Sequence, residues 1–324
     1  MSHLLKVENL KMHFPVKGGV LLRSIGSCKA VNGVSFHIDQ GETLGLVGES
    51  GCGKSTLGKC IVRLLNPTDG RIEFDGKDIT HAPRRDLLPL RKDMQMIFQD
   101  PAESLNSRHT VGSILEEPFV IHGIGSRAER REKAIALLEK VGMSASAMEK
   151  YSFEFSGGQR QRIGIARSIA LNPRLVVCDE PVSALDVSVQ SQVLNLMMEL
   201  QRELALSYLF IAHDLAVVRH VSDRVAIMYL GEIVEIADAD TIYSDPRHAY
   251  TKALISAIPI PDPSVERPMD YLEGDVPSPI HPPKGCAFAH RVSHPKWEQS
   301  IGKDLRLKEV EPGHWVQNCP CCVD

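Results

Sequence analysis

The stretch Gly48-Glu49-Ser50-Gly51-Cys52-Gly53-Lys54-Ser55-Thr56 constrains this chain more than any other. It has the form G-x-x-x-x-G-K-S. Before it, Thr43-Leu44-Gly45-Leu46-Val47 is a short apolar run that reads as a buried strand. After it, Thr56 to Leu65 repeats apolar residues at helical spacing. Strand, glycine turn and helix is the setting in which successive backbone N–H groups converge on phosphate oxygens. The partial positive charge of the helix N-terminus adds to that attraction. The segment therefore predicts an α/β fold with a nucleotide phosphate site at the end of a strand. Lys54 is expected to reach the β and γ phosphates, and the Ser55 hydroxyl to ligate Mg²⁺.

A chain of 324 residues is long enough for one large or two ordinary domains. Hydrophobic residues make up 43% and charged residues 24%, an ordinary soluble composition. A formal charge of -4 gives no global case for nucleic-acid binding. No run of about 18 apolar residues is present, so no membrane-spanning helix is expected. The N-terminus, Met1-Ser2-His3-Leu4-Leu5-Lys6, lacks a signal-peptide core, and the expected location is cytosolic. Of eight cysteines, Cys28, Cys52, Cys60 and Cys178 are scattered and are expected to be reduced thiols. Cys286, Cys319, Cys321 and Cys322 cluster near the C-terminus.

Val7 to Phe14 and Val31 to Ile38 alternate as strands, and the basic, glycine-containing insert Lys17 to Lys29 between them reads as a loop. Asp69 to Gly76 reads as a turn, a short strand and a turn. Thr110 to Lys150 is helical in pattern, with Ile135, Leu137 and Leu138 on the apolar side of a helix over Arg127 to Glu139. From Arg174 to Arg224 strands and helices alternate, which predicts a parallel sheet flanked by helices. Beyond Ser256 prolines become dense, and a loop-rich extension is expected.

Several motifs extend the chemistry. Leu175-Val176-Val177-Cys178-Asp179-Glu180 is an apolar strand ending in two carboxylates. Asp179 is expected to hold Mg²⁺, and Glu180 to polarise an attacking water as general base. Phe155-Ser156-Gly157-Gly158-Gln159 opens a second helical segment and offers N–H groups to a second anion. That arrangement has a use if the anion is the γ-phosphate held by a partner; a plain helix N-cap is the simpler alternative. Ser183-Ala184-Leu185-Asp186 follows the acidic strand, with Asp186 expected at the seam of a dimer. His213 ends the apolar run Tyr208-Leu209-Phe210-Ile211-Ala212, where an imidazole can sense the γ-phosphate. Gln99 ends the run Met94 to Phe98, with its amide oxygen in reach of Mg²⁺ or the attacking water.

This ordered set resembles the ATP-binding-cassette (ABC) ATPases over residues 4 to 237. Phe155 stands where many members have leucine, and Phe14 stands where the family stacks an aromatic on adenine. The resemblance implies a P-loop NTPase fold with a RecA-like parallel-sheet core, an antiparallel β subdomain and a helical insert at about 100–165. It divides the chain into a nucleotide-binding domain, 1–237, and an extension, 238–324. Gln99 to Arg108 is similar to the peptide and nickel importer subfamily, which usually has proline where Ser107 stands. Ile258 to Pro263 and Leu272 to Ile280 resemble that subfamily's C-terminal extension. The nearest resemblance is to the second ATPase subunit of bacterial oligopeptide and dipeptide importers.

That resemblance implies ATP hydrolysis driving solute uptake from the cytoplasmic face of the inner membrane. The implied partners are a sister ATPase, two membrane permease subunits and an external solute-binding protein. Short peptides lead as the solute, with nickel, glutathione, opines and other small solutes as alternatives. Soluble cassette proteins usually carry two cassettes in one chain, and here there is one. The family's extension often holds a [4Fe–4S] cluster on four cysteines. Cys286 fits the first and Cys319 the last, but Val292 stands at the second and no cysteine lies near Ser300. With Cys321 and Cys322 added, four thiolates offer a cluster, a Zn²⁺ site or neither.

Overall fold

A computed structural model of the protein describes residues 3–18, 23–258 and 275–323. The chain forms two compact units. The first comprises Met1–Asp39, Thr43–His81 and Ala212–Asp324, the second Gln40–Glu42 and Ala82–Ile211. Within the first, the chain runs through β1 (Leu5–Gly18), β2 (Arg23–Ile38), β3 (Thr43–Val47), α1 (Lys54–Ile61), β4 (Asp69–Phe74) and β5 (Lys77–Asp78). The second holds α2 (Arg84–Leu90), β6 (Met94–Ile97), α3 (Pro101–Ser104), α4 (Val111–Ile121), α5 (Arg127–Lys140), α6 (Gly157–Ile169), β7 (Leu175–Asp179), α7 (Val187–Leu204) and β8 (Ser207–Ala212). The chain then continues through α8 (Leu215–Val221), β9 (Arg224–Tyr229), β10 (Glu232–Asp238), α9 (Ala239–Ser244), α10 (Ala249–Ser256), α11 (Ala287–Arg291), β11 (Leu307–Glu311) and β12 (His314–Gln317).

In the first unit, β3 is buried along its whole length and runs parallel to β9, pairing Leu44 with Arg224 and Val47 with Ile227. A strand buried on both faces loses alternation and reads as a continuous apolar run, as the sequence does here. β9 continues antiparallel into β10, β10 into β12 and β12 into β11. A separate antiparallel sheet orders its strands β2-β1-β4-β5. In the second unit β6, β7 and β8 are parallel neighbours, and β7 and β8 are wholly buried. Among the described residues, no helix is long and apolar enough to cross a membrane.

Three local expectations are corrected. The insert Lys17 to Lys29 is not a loop where it is described: β1 and β2 extend into it, pairing Lys17 with Ser24 and Gly18 with Arg23. Its strands are largely polar, so no apolar alternation marks them. The helix after the phosphate loop ends at Ile61, not Leu65. Arg63 turns left-handed at φ 56 and sends its buried guanidinium to the Ile79 carbonyl at 2.8 Å. In the extension, β11 and β12 form a hairpin that adds to the edge of β10. Of the segments Ile258 to Pro263 and Leu272 to Ile280, residues 259–263 and 272–274 lie outside the described residues.

Glu235 fastens the extension to β10. A register shift between Ile233 and Glu235 marks a bulge, and the Glu235 side chain is fully buried. It accepts from the backbone N–H of Arg247 at 2.8 Å and of His248 at 3.0 Å, and it meets His314 Nε2 at 2.8 Å. A buried carboxylate persists only when its oxygens are satisfied in this way. Glu235→Ala leaves buried donors unmet, each worth about 1–3 kcal/mol. Thermal denaturation should show a clear loss of stability, and limited proteolysis should show early cleavage after residue 238.

Candidate functional site

The phosphate loop leaves the end of β3 and enters α1 at Lys54. Two glycines are dictated by close approach. A Cβ on Gly48 would lie 2.1 Å from the Met228 carbonyl oxygen, and one on Gly53 would lie 1.9 Å from that of Ala30. Gly53 is also left-handed at φ 108 and forms the N-cap of α1 without a side chain. Lys54 is 5% exposed and donates to the carbonyls of Gly48 at 2.6 Å and Glu49 at 3.1 Å. Its ammonium is thus folded onto loop oxygens, the contacts that phosphate oxygens would take over. Ser55 is half-buried one position further into α1, and Thr56 follows it. The same unit carries half-buried Phe14 on β1, opposite Cys28, and exposed His213 just after β8.

The second unit carries the acids. Asp179 ends β7 and is 3% exposed. Glu180 follows in a left-handed conformation at φ 46, which is strained for a residue with a Cβ. Its N–H donates to the Ile211 carbonyl at 3.0 Å, and its carbonyl accepts from the Ser183 hydroxyl at 3.1 Å. The backbone is therefore held from both sides. Gln99 Nε2 donates to Glu180 Oε2 at 3.1 Å. Two residues 81 positions apart are thus brought together, a pairing the sequence did not indicate, and it is the Gln99 amide nitrogen, not its oxygen, that makes the contact.

Ser156 and Gln159 form a reciprocal capping box on α6, Ser156 Oγ accepting at 3.3 Å and Gln159 Oε1 at 3.1 Å. The side chains cap the helix, so the backbone of Gly157 and Gly158 is what remains for an anion. Ser156 and Gly157 are exposed. Asp186 is the exposed N-cap residue of α7, next to Val187 at 79% exposure.

Three of the four C-terminal cysteines come together, joined by a histidine. Cys286 and Cys322 lie with Sγ atoms 3.5 Å apart, and Cys319 hydrogen-bonds both, which holds its thiol below the ordinary range. Cys321 stands apart, its Sγ 3.0 Å from the Lys296 carbonyl. The fourth member of the group is instead the buried His248, within 4.8 Å of the Cys286 and Cys322 sulfurs. Burial pushes its imidazole down to about 4, so the ring is neutral near pH 7. Its Nδ1 accepts from the Tyr250 N–H at 3.1 Å, which leaves the proton of the neutral ring on the buried Nε2. Three close thiols and a donor imidazole do not match the four-cysteine pattern of a cluster.

Comparison with known proteins follows this geometry closely. Residues 31–183 match the ABC transporter family, and residues 234–295 match the oligopeptide/dipeptide transporter C-terminal region. The chain is 51% identical over 318 residues to the oligopeptide transport ATP-binding protein AppF of Bacillus subtilis, covering 97% of this chain and 96% of that one. It is 52% identical over 323 residues to the oligopeptide transport ATP-binding protein OppF of Escherichia coli, covering 95% and 97%. Among solved structures it is similar to cbiO1 of Clostridium perfringens, part of an ABC transporter complex, with a TM-score of 0.65 and 27% identity over 76% of this chain and 92% of that one. A dimeric ATP-binding cassette bound to ADP and Pi after hydrolysis gives the same TM-score and identity over 72% and 98%.

Gly53→Ala tests the loop directly. The added methyl must displace the Ala30 backbone in a conformation that costs on the order of 1–3 kcal/mol. ATP affinity should fall at least about tenfold by equilibrium binding, while the far-ultraviolet circular dichroism of the chain stays near that of the parent.

Proposed function

We propose that this chain, which belongs to the ABC transporter ATP-binding proteins, is the ATP-hydrolysing subunit that powers uptake of short peptides across a membrane. The observation that carries the reading is the joint presence of the phosphate loop, the Gln99–Glu180 pair and an oligopeptide-type C-terminal region in one chain. Two relatives named for oligopeptide transport, each about half identical over nearly the full length, support the solute class.

In this reading ATP draws two cassettes face to face. Lys54 and the loop N–H groups hold the β and γ phosphates, Ser55 and Asp179 hold Mg²⁺, and Phe14 stacks on adenine. Ser156, Gly157, Gly158 and Gln159 close on the γ-phosphate of the partner cassette, with Asp186 at the seam. Glu180, oriented by Gln99, takes the proton of the attacking water, and His213 reads the γ-phosphate. Loss of that phosphate loosens the seam, and the opening is passed to the permease. The proposed assembly pairs this chain with a sister ATPase, two integral membrane permease subunits and an external solute-binding protein. It would sit at the cytoplasmic face of the inner membrane without crossing it.

The proposed division is a cassette over 1–237 and an extension over 238–324, supported by the separate family matches at 31–183 and 234–295. A thiophilic ion such as Zn²⁺ on Cys286, Cys319 and Cys322 is the form of the cofactor reading that their spacing supports. Metal analysis of the purified chain decides it.

Two experiments test the function. Affinity isolation from solubilised membranes should recover a second cassette ATPase and two polytopic membrane proteins; recovery from the soluble fraction alone would contradict transport. Glu180→Gln should lower ATP turnover by about 10²–10⁴ while ATP binding persists. Turnover at the parent rate would remove Glu180 from the role of base.

A further inference from the structure

Every functional group of Glu49, the second residue of the phosphate loop, is engaged. Its carbonyl accepts from Lys54 Nζ at 3.1 Å. Its N–H donates to the Tyr250 hydroxyl oxygen at 3.1 Å. Its carboxylate receives both arms of the Arg291 guanidinium, Nη1 at 2.6 Å and Nη2 at 3.2 Å. Two of these three links come from the C-terminal extension, more than 200 residues along the chain.

Neither partner is a passing surface contact. The Arg291 side chain is 5% exposed, and Tyr250 is fully buried. Tyr250 packs on Tyr229 at a ring separation of 4.6 Å and on Phe288 at 5.3 Å. Phe288 lies in α11, the short helix that ends at Arg291, so both contacts with Glu49 are fixed by one aromatic cluster. The helices that present them start at the thiol group: His248 caps α10 and Cys286 caps α11.

Electrostatics gives the arrangement a purpose. A carboxylate within a loop that receives a polyphosphate opposes the ligand's charge. A bidentate guanidinium cancels that charge and fixes the residue's orientation. With its side chain and N–H tied to the extension, Glu49 holds its carbonyl where both Lys54 Nζ, at 3.1 Å, and the Cys52 N–H, at 3.3 Å, donate to it.

We propose that Arg291 and Tyr250 are positioning residues of the phosphate loop, through which the extension sets the ATP affinity of its own chain. The proposal rests on ATP binding at this loop and is independent of which solute is carried.

Equilibrium ATP binding to the full-length chain, with thermal denaturation as the control for folding, tests it. Arg291→Ala should weaken ATP binding about tenfold by leaving the Glu49 charge unpaired. Adding Glu49→Gln to that variant should recover most of the loss, because the unpaired charge is then gone. A purely structural role for Arg291 predicts no such recovery. Arg291→Lys, which keeps the charge without the fork, should fall between. Tyr250→Phe keeps the aromatic packing and removes one hydroxyl, and it should weaken binding severalfold without unfolding the chain. It keeps the proposal falsifiable if Arg291→Ala does not fold. ATP affinities within twofold of the parent in folded Arg291→Ala or Tyr250→Phe, or no recovery in the double variant, would overturn the proposal. A parent chain that itself failed to bind ATP would instead overturn the functional reading.

Discussion

The phosphate loop has no room for a side chain at Gly48 or Gly53, because the Met228 and Ala30 carbonyls press against it. The site depends on this constraint. It fixes the path of the backbone between β3 and α1, and the path decides where the loop N–H groups and the buried Lys54 ammonium point. A loop so tightly bounded can be tuned only from its edges. At Glu49 the structure does this with a salt bridge and a hydrogen bond from the extension.

Glu180, the proposed general base, is subject to a second backbone constraint. Glu180 takes a left-handed conformation immediately after a wholly buried strand. Ile211 and Ser183 hold that conformation through main-chain hydrogen bonds, and Gln99 turns the carboxylate. Strain at one residue persists where surrounding hydrogen bonds over-determine it, as those to Ile211 and Ser183 do here. Asp179, at the strand end before it, stays buried.

What the sequence revealed, it revealed where the chemistry restricts residue type. The glycine loop, the apolar strands β3, β7 and β8, and a helix start at Ser156 were all legible for that reason. The polar arms of β1 and β2 beyond Pro15 were not, since a ribbon that buries little has no period-2 apolar signal. The hairpin of β11 and β12 was hidden because its nine residues are mostly exposed and it gains its place only by pairing with β10. The thiol group stayed open in the sequence because Cys321 and Cys322 are neighbours along the chain yet face different surroundings, while His248 joins from another helix. Arg291 and Tyr250 were passed over for a similar reason. Their partner, Glu49, occupies a position of the loop that the bare motif leaves free.

The most direct test of the account is peptide uptake into energised membrane vesicles from cells with and without this chain, at matched levels of the other subunits. A labelled short peptide should accumulate only with the chain present and ATP available inside the transport compartment, and uptake should vanish when Lys54 is replaced. Uptake that persists without the chain, or that proceeds unchanged with Lys54 replaced, would contradict the claim that ATP bound at this loop drives the movement.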